Sequence, residues 1–353
     1  MAVTEYGVND ALAVKLWSKK LSVEVLKETE IADYMGEDDN SLWQIKTETQ
    51  KSAGDKITHG LRMQLTGTGV QGDGTLEGNE EQLTTYSDSI YIDQLRHAVR
   101  SGGKMSEQRV PFSVRQEALA GLKDWWVDRL AVSAFNQLAG NTGATDTRFT
   151  GNQVTIGPTA TTNWIYSSSS HTTDATLDSS DTLTLSVIDR CIAKAETNTP
   201  AIRPIMIRGV KHYVLFVHPY QAYQLRTTTS TGQWLDIQKA AMQGGEITKN
   251  PIFSGALGMY NNCIIRKDYR VPLGATTTTP ITTVRRAIFC GAQSLCISFG
   301  QDGGPNKFSW VEELFDYKNQ LGVSAGTIFG VKKTVFNSVD FGTIVVSSYA
   351  AAP

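Results

Sequence analysis

PFSVRQEALAGLKDWWVDRLAVSAFNQLAG, from Pro111 to Gly140, decides how the rest of the chain is read. Its spacing predicts one uninterrupted helix. Proline suits a first helical turn, where its missing N–H would have no partner anyway. Glycine suits the stop, because it accepts the left-handed conformation that closes a helix. Leu119, Leu122, Trp126, Leu130, Ala134 and Leu138 recur at helical spacing. A second stripe, Trp125, Val132, Phe135 and Ala139, widens the face to be buried, and Asp124, Asp128 and Arg129 are left for its margins. Leu122, Trp125, Trp126 and Leu130 are the expected centre of the packing. Such a helix is a spine on which sheets can pack. A glycine-rich hairpin precedes it and a Ser/Thr-rich stretch follows it.

Working outward, Ile57 to Leu65 alternates as a strand, with Ile57, Leu61, Met63 and Leu65 on one face and His59 joining them. GTGVQGDGTLEG follows, Gly67 to Gly78, and then Glu80 and Glu81. Ser89 to Val99 is expected to return as the second strand. A two-stranded ribbon is marginal alone in water and its open edges invite pairing. It makes sense if a neighbouring subunit covers it. Before it, Ala11 to Ala32 reads as a helical arm too short to bury its own core. Residues 141–182 are rich in Ser and Thr and read as an irregular surface insertion. Beyond them, Ser186 to Asp189 resembles a capping box opening a helix through Ala195. Tyr213 to Val217 is a continuous apolar run, hence a buried strand. A short helix carries Tyr223 and Leu225, and Trp234 to Met242 forms another. Strands are expected at Asn262 to Arg266, Ala287 to Gly291, Leu295 to Phe299, Val323 to Val331, Thr334 to Phe336 and Thr343 to Val346.

The chain has 353 residues, a formal net charge of −2 and 40% hydrophobic residues. That supports two or three domains and a real core, and disfavours a strongly basic nucleic-acid binder. No run approaches the ~18 apolar residues of a membrane span. The N-terminal residues do not read as a signal peptide, so a cytoplasmic chain is expected. Cys191, Cys263, Cys290 and Cys296 form no C-x-x-C pair and read as small buried hydrophobes.

Gly67, Gly69 and Gly72 match a dinucleotide fingerprint, but no apolar helix follows to bind phosphate. Asp73, Glu77, Glu80 and Glu81 would repel it. Asp340-Phe341-Gly342 matches a kinase triplet, yet H-R-D is absent and a strand-to-strand turn explains it better. His212 and His218 lack further ligands, so no metal site and no cofactor is expected. Glu312 and Glu313, near Trp310, are read as ion-pair partners at an interface rather than an acid/base pair. Lys332 and Lys333 are read equally as partners for acids on a neighbour or as a solvated strand end. Trp125-Trp126 on an apolar helix face is core rather than a base-stacking platform.

The order of pieces resembles the tailed-phage major capsid proteins of the Hong Kong 97-type fold, and the wording resembles their enquatrovirus-like branch. NDALAVKLWSKKL (9–21), LTGTGVQGDGTLEGNEEQL (65–83) and IYIDQLRHAVRSGGKMSEQRVPFSVRQEA (90–118) carry the likeness. So do YVLFVHPYQAYQLR (213–226), NPIFSGALGMYNNCIIRKDYRVP (250–272), WVEELFDYKNQLGVSAGTIFGVKKTVFN (310–337) and DFGTIVV (340–346). The least covered piece is 141–182.

The resemblance implies an α+β shell subunit without catalysis. Its parts would be an N-terminal arm (1–56), an extended loop (57–100), a peripheral domain (101–182) with the spine helix 111–140, an axial domain (183–300) and returning C-terminal strands (301–353). Copies would form pentamers and hexamers and close an icosahedral shell around double-stranded DNA, without sequence-specific binding. Scaffolding, portal and decoration proteins are further expected partners, and assembly would take place in the bacterial host cytoplasm. Gly67, Gly69, Gly72, Asp73, Glu77, Glu80, Glu81, Glu312, Glu313, Lys332 and Lys333 are the candidate contacts between subunits. The alternative is a cytoplasmic nucleotide-binding enzyme using Gly67 to Gly72. A third reading is a module presenting the Ser/Thr-rich stretch to glycans.

Overall fold

The computed structural model describes residues 34–46, 54–62, 65–109, 113–160, 162–207, 209–227, 258–276, 279–300 and 308–353. The predicted helices Ala11–Ala32 and Trp234–Met242, and Pro111 at the start of the spine, lie outside the described residues. The strands are β1 (Met35–Gly36), β2 (Trp43–Lys46), β3 (Lys56–Arg62), β4 (Thr85–Tyr91), β5 (Asp93–Arg100), β6 (Trp164–Tyr166), β7 (Ile205–Ile207), β8 (Val210–Val217), β9 (Met259–Tyr260), β10 (Cys263–Lys267), β11 (Leu273–Thr276), β12 (Thr279–Cys290), β13 (Leu295–Phe299), β14 (Ser309–Phe315), β15 (Gln320–Lys333), β16 (Val335–Phe336), β17 (Val339–Asp340) and β18 (Thr343–Tyr349). The α-helices are α1 (Lys104–Gln108), α2 (Val114–Leu138), α3 (Leu185–Thr197) and α4 (Pro219–Thr227).

α2 is the spine. Leu119, Leu122, Trp126, Leu130, Ala134 and Leu138 are all buried, as are Phe135 and Ala139. Trp125 and Val132 are half-buried at the margin. Each large apolar side chain buried this way contributes about 1.5–3 kcal/mol. That outweighs the ~1 kcal/mol cost of Gly121 within the helix, so packing fixes this helix more than propensity does. Its end is a Schellman closure: Asn141 N–H donates to Asn136 O (3.0 Å) and Gly140 N–H to Gln137 O (3.1 Å). Gly140 has φ 58°, and a Cβ there would lie 2.7 Å from Pro158 Cδ.

Two sheets pack on this helix. The first has the order β1-β2-β13-β15-β14, with β5 also on β15. The second has the order β6-β18-β12-β8-β10-β9, with β11 on β12 and β7 on β8. Trp126 meets Phe329 of β15 at 6.1 Å, and Phe135 meets Phe216 of β8 at 5.4 Å. Strand alternation divides β8 between two cores. Val214 and Phe216 face the α2 side, while Tyr213, Leu215 and Val217 join Val187, Ile188 and Cys191 of α3. The four cysteines are free and buried, in keeping with use as small hydrophobes.

Several expectations need correction. The return strand of the hairpin is β4, paired with β3 from Lys56↔Tyr91 to Arg62↔Thr85. Asp93 to Arg100 pairs instead with β15 in the first sheet. The sequence there has no Gly or Pro to mark the break at Ile92. The helix α3 starts at Leu185 with Thr184 as its cap and no capping side-chain bond. Asp189 instead accepts from Tyr260 Oη (2.9 Å) and Asn261 Nδ2 (3.0 Å), so Ser186 and Asp189 form no capping box.

Nor is 141–182 merely an irregular surface insertion. Its β6 pairs with β18 in the second sheet. Asp174 is clamped by buried Arg286, whose Nε and Nη2 each lie 2.8 Å from Asp174 Oδ2. Arg286 also donates to Gly140 O at the end of the spine (3.1 Å). The C-terminal residues divide between the sheets, β14 and β15 in the first and β18 in the second. β18 is buried almost throughout, which suits a strand flanked on both edges.

Candidate assembly surface

The β3–β4 hairpin is rooted firmly and ends openly. At its base Ile57 and Ile90 pack on Cys296. The buried Asp88 carboxylate accepts from Lys332 Nζ, from Ser89 N–H (2.8 Å) and from Val335 N–H (3.1 Å). Lys332 also donates to Ser89 O at 2.8 Å. Gly330 is required beside this root, since a Cβ there would fall 2.0 Å from Tyr91 O.

Residues 65–84 beyond the strands are exposed throughout. Gly69, Gly72 and Gly78 take positive φ (69°, 65° and 86°). Glu81 closes the loop: its carboxylate accepts from Thr66 N–H and Gly67 N–H, both at 2.7 Å. Those backbone donors hold the Glu81 carboxyl below the usual carboxylate range. The Gly67 amide that a phosphate would need is thus occupied by an acid of the same loop. Glu80 accepts from Gly78 N–H (2.7 Å). Asp73, Glu77 and Glu80 are exposed, as are Leu65 (56%), Val70, Leu76 (62%) and Leu83.

The other expected contacts divide. Glu313 is exposed, but Glu312 is 2% exposed and takes Arg115 Nη2 at 2.6 Å and Trp310 Nε1 at 2.8 Å. It ties the start of the spine to β14. Lys332 is held by Asp88, and Lys333, 1% exposed, pairs with Asp340 Oδ1 at 2.7 Å. Neither the solvated strand end nor a neighbour's acid describes these two lysines, because acids of the same chain reach them. Asp340 ends β17, so the Asp340-Phe341-Gly342 stretch is a strand-to-strand turn. His218 is buried, and its Nδ1 accepts Tyr220 N–H (3.2 Å). The Arg286–Asp174 clamp escaped sequence reading; its one signal is an arginine set beside the apolar run of β12.

The sequence profile of the phage capsid protein family matches residues 5–352. The chain is 28% identical over 374 residues to the major capsid protein of Pseudomonas phage KPP25, covering 96% of this chain and 94% of that one. It superposes on the capsid of Ralstonia phage GP4 with a TM-score of 0.77 and 32% identity, over 100% of this chain and 99% of that chain. The cyanophage Pam1 capsid subunit shares the fold at 20% identity, with a TM-score of 0.74 and coverage of 100% and 95%. A spine helix carrying two sheets and an outlying hairpin is therefore the Hong Kong 97-type fold of viral shell subunits. The chain belongs to the phage capsid protein family and is a major capsid protein of a bacteriophage, a structural component of the shell.

Proposed function

We propose that copies of this chain assemble as pentamers and hexamers into an icosahedral shell enclosing the double-stranded DNA of a tailed bacteriophage. The observation that carries this reading is the hairpin: its loop exposes Leu65, Leu76 and Leu83, and its hydrogen bonds close within the loop. Exposed edges and apolar side chains of that kind mark a surface for another molecule to cover. The expected arm 1–56 is cut back by β1 and β2, which belong to the first sheet of this chain. In this reading the residues before β1 reach a neighbour and the hairpin lies over an adjacent subunit. α2 with the first sheet forms the peripheral domain, and the second sheet with α3 forms the axial domain. Gly67, Gly69, Gly72, Asp73, Glu77, Glu80 and Glu313 serve as contacts between subunits. A closed shell multiplies contacts per subunit, so each interface can be modest. The net charge of −2 limits repulsion among crowded copies and suits enclosing DNA without gripping its sequence. Assembly in the bacterial cytoplasm, with scaffolding, portal and decoration proteins as partners, completes the reading.

Negative-stain imaging of the purified full chain, after concentration, is the direct test. Closed particles of uniform size are expected. A chain that stays monomeric under every assembly condition would overturn the proposal.

A further inference from the structure

The second sheet carries a cavity of about 1170 Å³ between β6, α3 and the 168–176 segment. Alternation along β6 sends Ile165 into the core shared with α3 and leaves Trp164 and Tyr166 half-buried on the cavity side. Their rings stack, with centroids 5.3 Å apart and planes inclined by 24°. Trp164 Nε1 donates to Ser347 Oγ at 2.9 Å, and the Arg286 guanidinium lies 4.8 Å from the indole. This aromatic platform is therefore set before any ligand arrives.

The wall opposite is α3, whose Arg190, Ala193, Lys194 and Thr197 recur at helical spacing along the cavity. Arg190 is exposed and has no carboxylate partner among the described residues. The adjacent acid, Asp189, is turned to Tyr260 and Asn261, and Asp181 is held by His171 Nδ1 at 2.6 Å. Arg190 and Lys194 stand one helical turn apart, a like-charged pair whose repulsion an anion between them would relieve. At the base, Asp174 is 3% exposed. Its Oδ2 takes Arg286 and the Ala275 N–H (3.0 Å), but its Oδ1 has no hydrogen-bond partner among the described residues. A donor standing in the cavity would supply one. Ser168, Ser169, Thr172 and Thr173 add hydroxyls to the lining. The walls thus ask for a C–H face on the aromatic rings, a hydroxyl donor at Asp174 and a negative group at Arg190. An acidic saccharide carries all three. Single-stranded nucleic acid shares the ring and the charge, but a strand is held along a track of cations. Here a single unpaired arginine stands above a buried carboxylate.

We propose that this cavity binds an acidic saccharide, its ring over Trp164 and Tyr166, a hydroxyl donating to Asp174 and its carboxylate on Arg190. The site lies within one chain and does not depend on how copies assemble, so the unassembled full chain is the protein to test.

Saturation-transfer NMR titration with the disaccharide of glucuronate and N-acetylglucosamine, against the uncharged disaccharide of N-acetylglucosamine, reads the site directly. The acidic sugar should bind about tenfold more tightly, the share of one charge-assisted contact. Arg190→Gln should abolish that preference and leave the neutral sugar's affinity unchanged. Its melting temperature should match the parent's, because the side chain is exposed and unpaired. Tyr166→Leu keeps the bulk but removes the ring face, and should weaken both sugars about tenfold. Arg96→Gln, which removes an exposed arginine of the first sheet, should bind like the parent. Three results would overturn the inference: no binding of the acidic sugar by the parent, equal affinity for the two sugars, or a loss in Arg96→Gln as large as in Arg190→Gln. Short oligothymidylate that displaces the sugar, binds more tightly and depends on Arg190 would overturn it too, and would give the cavity to nucleic acid.

Discussion

Lys333 and Asp340 are each 1% exposed on their side chains and form a buried ion pair. Burial pushes the Lys333 ammonium below the ordinary lysine range, and Asp340 pulls it back. Lys333→Met would leave a buried carboxylate without its counter-charge. The expected loss is about 3–5 kcal/mol in urea denaturation. Adding Asp340→Leu should return only part of it, since Asp340 Oδ2 also accepts Thr159 N–H at 3.1 Å. A different residue sets a pH response. Burial, and then the charge of Arg285, lower the His218 pKa from 6.5 to about 4. Between those values the unfolded chain takes up a proton that the folded chain refuses. Stability is therefore lost as pH falls from 6.5 towards 4, by about 3 kcal/mol in all. Denaturation of the parent and of His218→Gln at pH 7 and pH 4.5 checks this: the variant should lose less on acidification.

At the scale of elements, Trp126→Ala tests the spine. Its ring meets Phe308 at 4.9 Å and Phe329 at 6.1 Å, so truncation empties a site between helix and sheet. The expected cost is about 3–5 kcal/mol, read from the shift in denaturation midpoint. That helix was legible because its apolar residues keep strict helical spacing and glycine ends it. Tyr213 to Val217 of β8 was legible as an unbroken apolar run, the mark of a strand buried on both faces. What stayed hidden depends on distant partners. The bend between β4 and β5 is fixed by Ile92 N–H donating to Asp55 O (2.9 Å) and by the space left at Gly330, not by any local breaker. Lys332 reads as an exposed cation until Asp88, 244 positions away, is beside it. Glu312 reads as an interface acid until the fold brings Arg115 onto it. The glycine tip is the opposite case. Its sequence already showed acids where a phosphate would sit, and Glu81 on the Gly67 amide gives that repulsion a structure.

For the whole molecule the decisive fact is that one core serves both sheets. Covalently linked domains ordinarily meet through modest, polar interfaces and move against each other. Here the junction is aromatic. Trp43 of β2 lies 5.9 Å from Phe216 of β8, and Phe135 of the spine meets both, at 6.4 and 5.4 Å. Leu295 and Ile297 of the first sheet share this cluster with Ile288 and Cys290 of the second. Unfolding either sheet alone would strand that apolar surface in water, so the two should melt together. Calorimetry of the unassembled subunit is expected to show one cooperative transition. Phe135→Ala, at the junction, should lower that transition by about 4–7 °C, the equivalent of 3–5 kcal/mol in a chain of this length. It should remain a single peak, because Trp43 and Phe216 still touch. Two peaks in the parent would mean that the sheets are separate bodies. Load could then pass from the first sheet to the second only through the connecting chain, and not through the aromatic contacts of the spine.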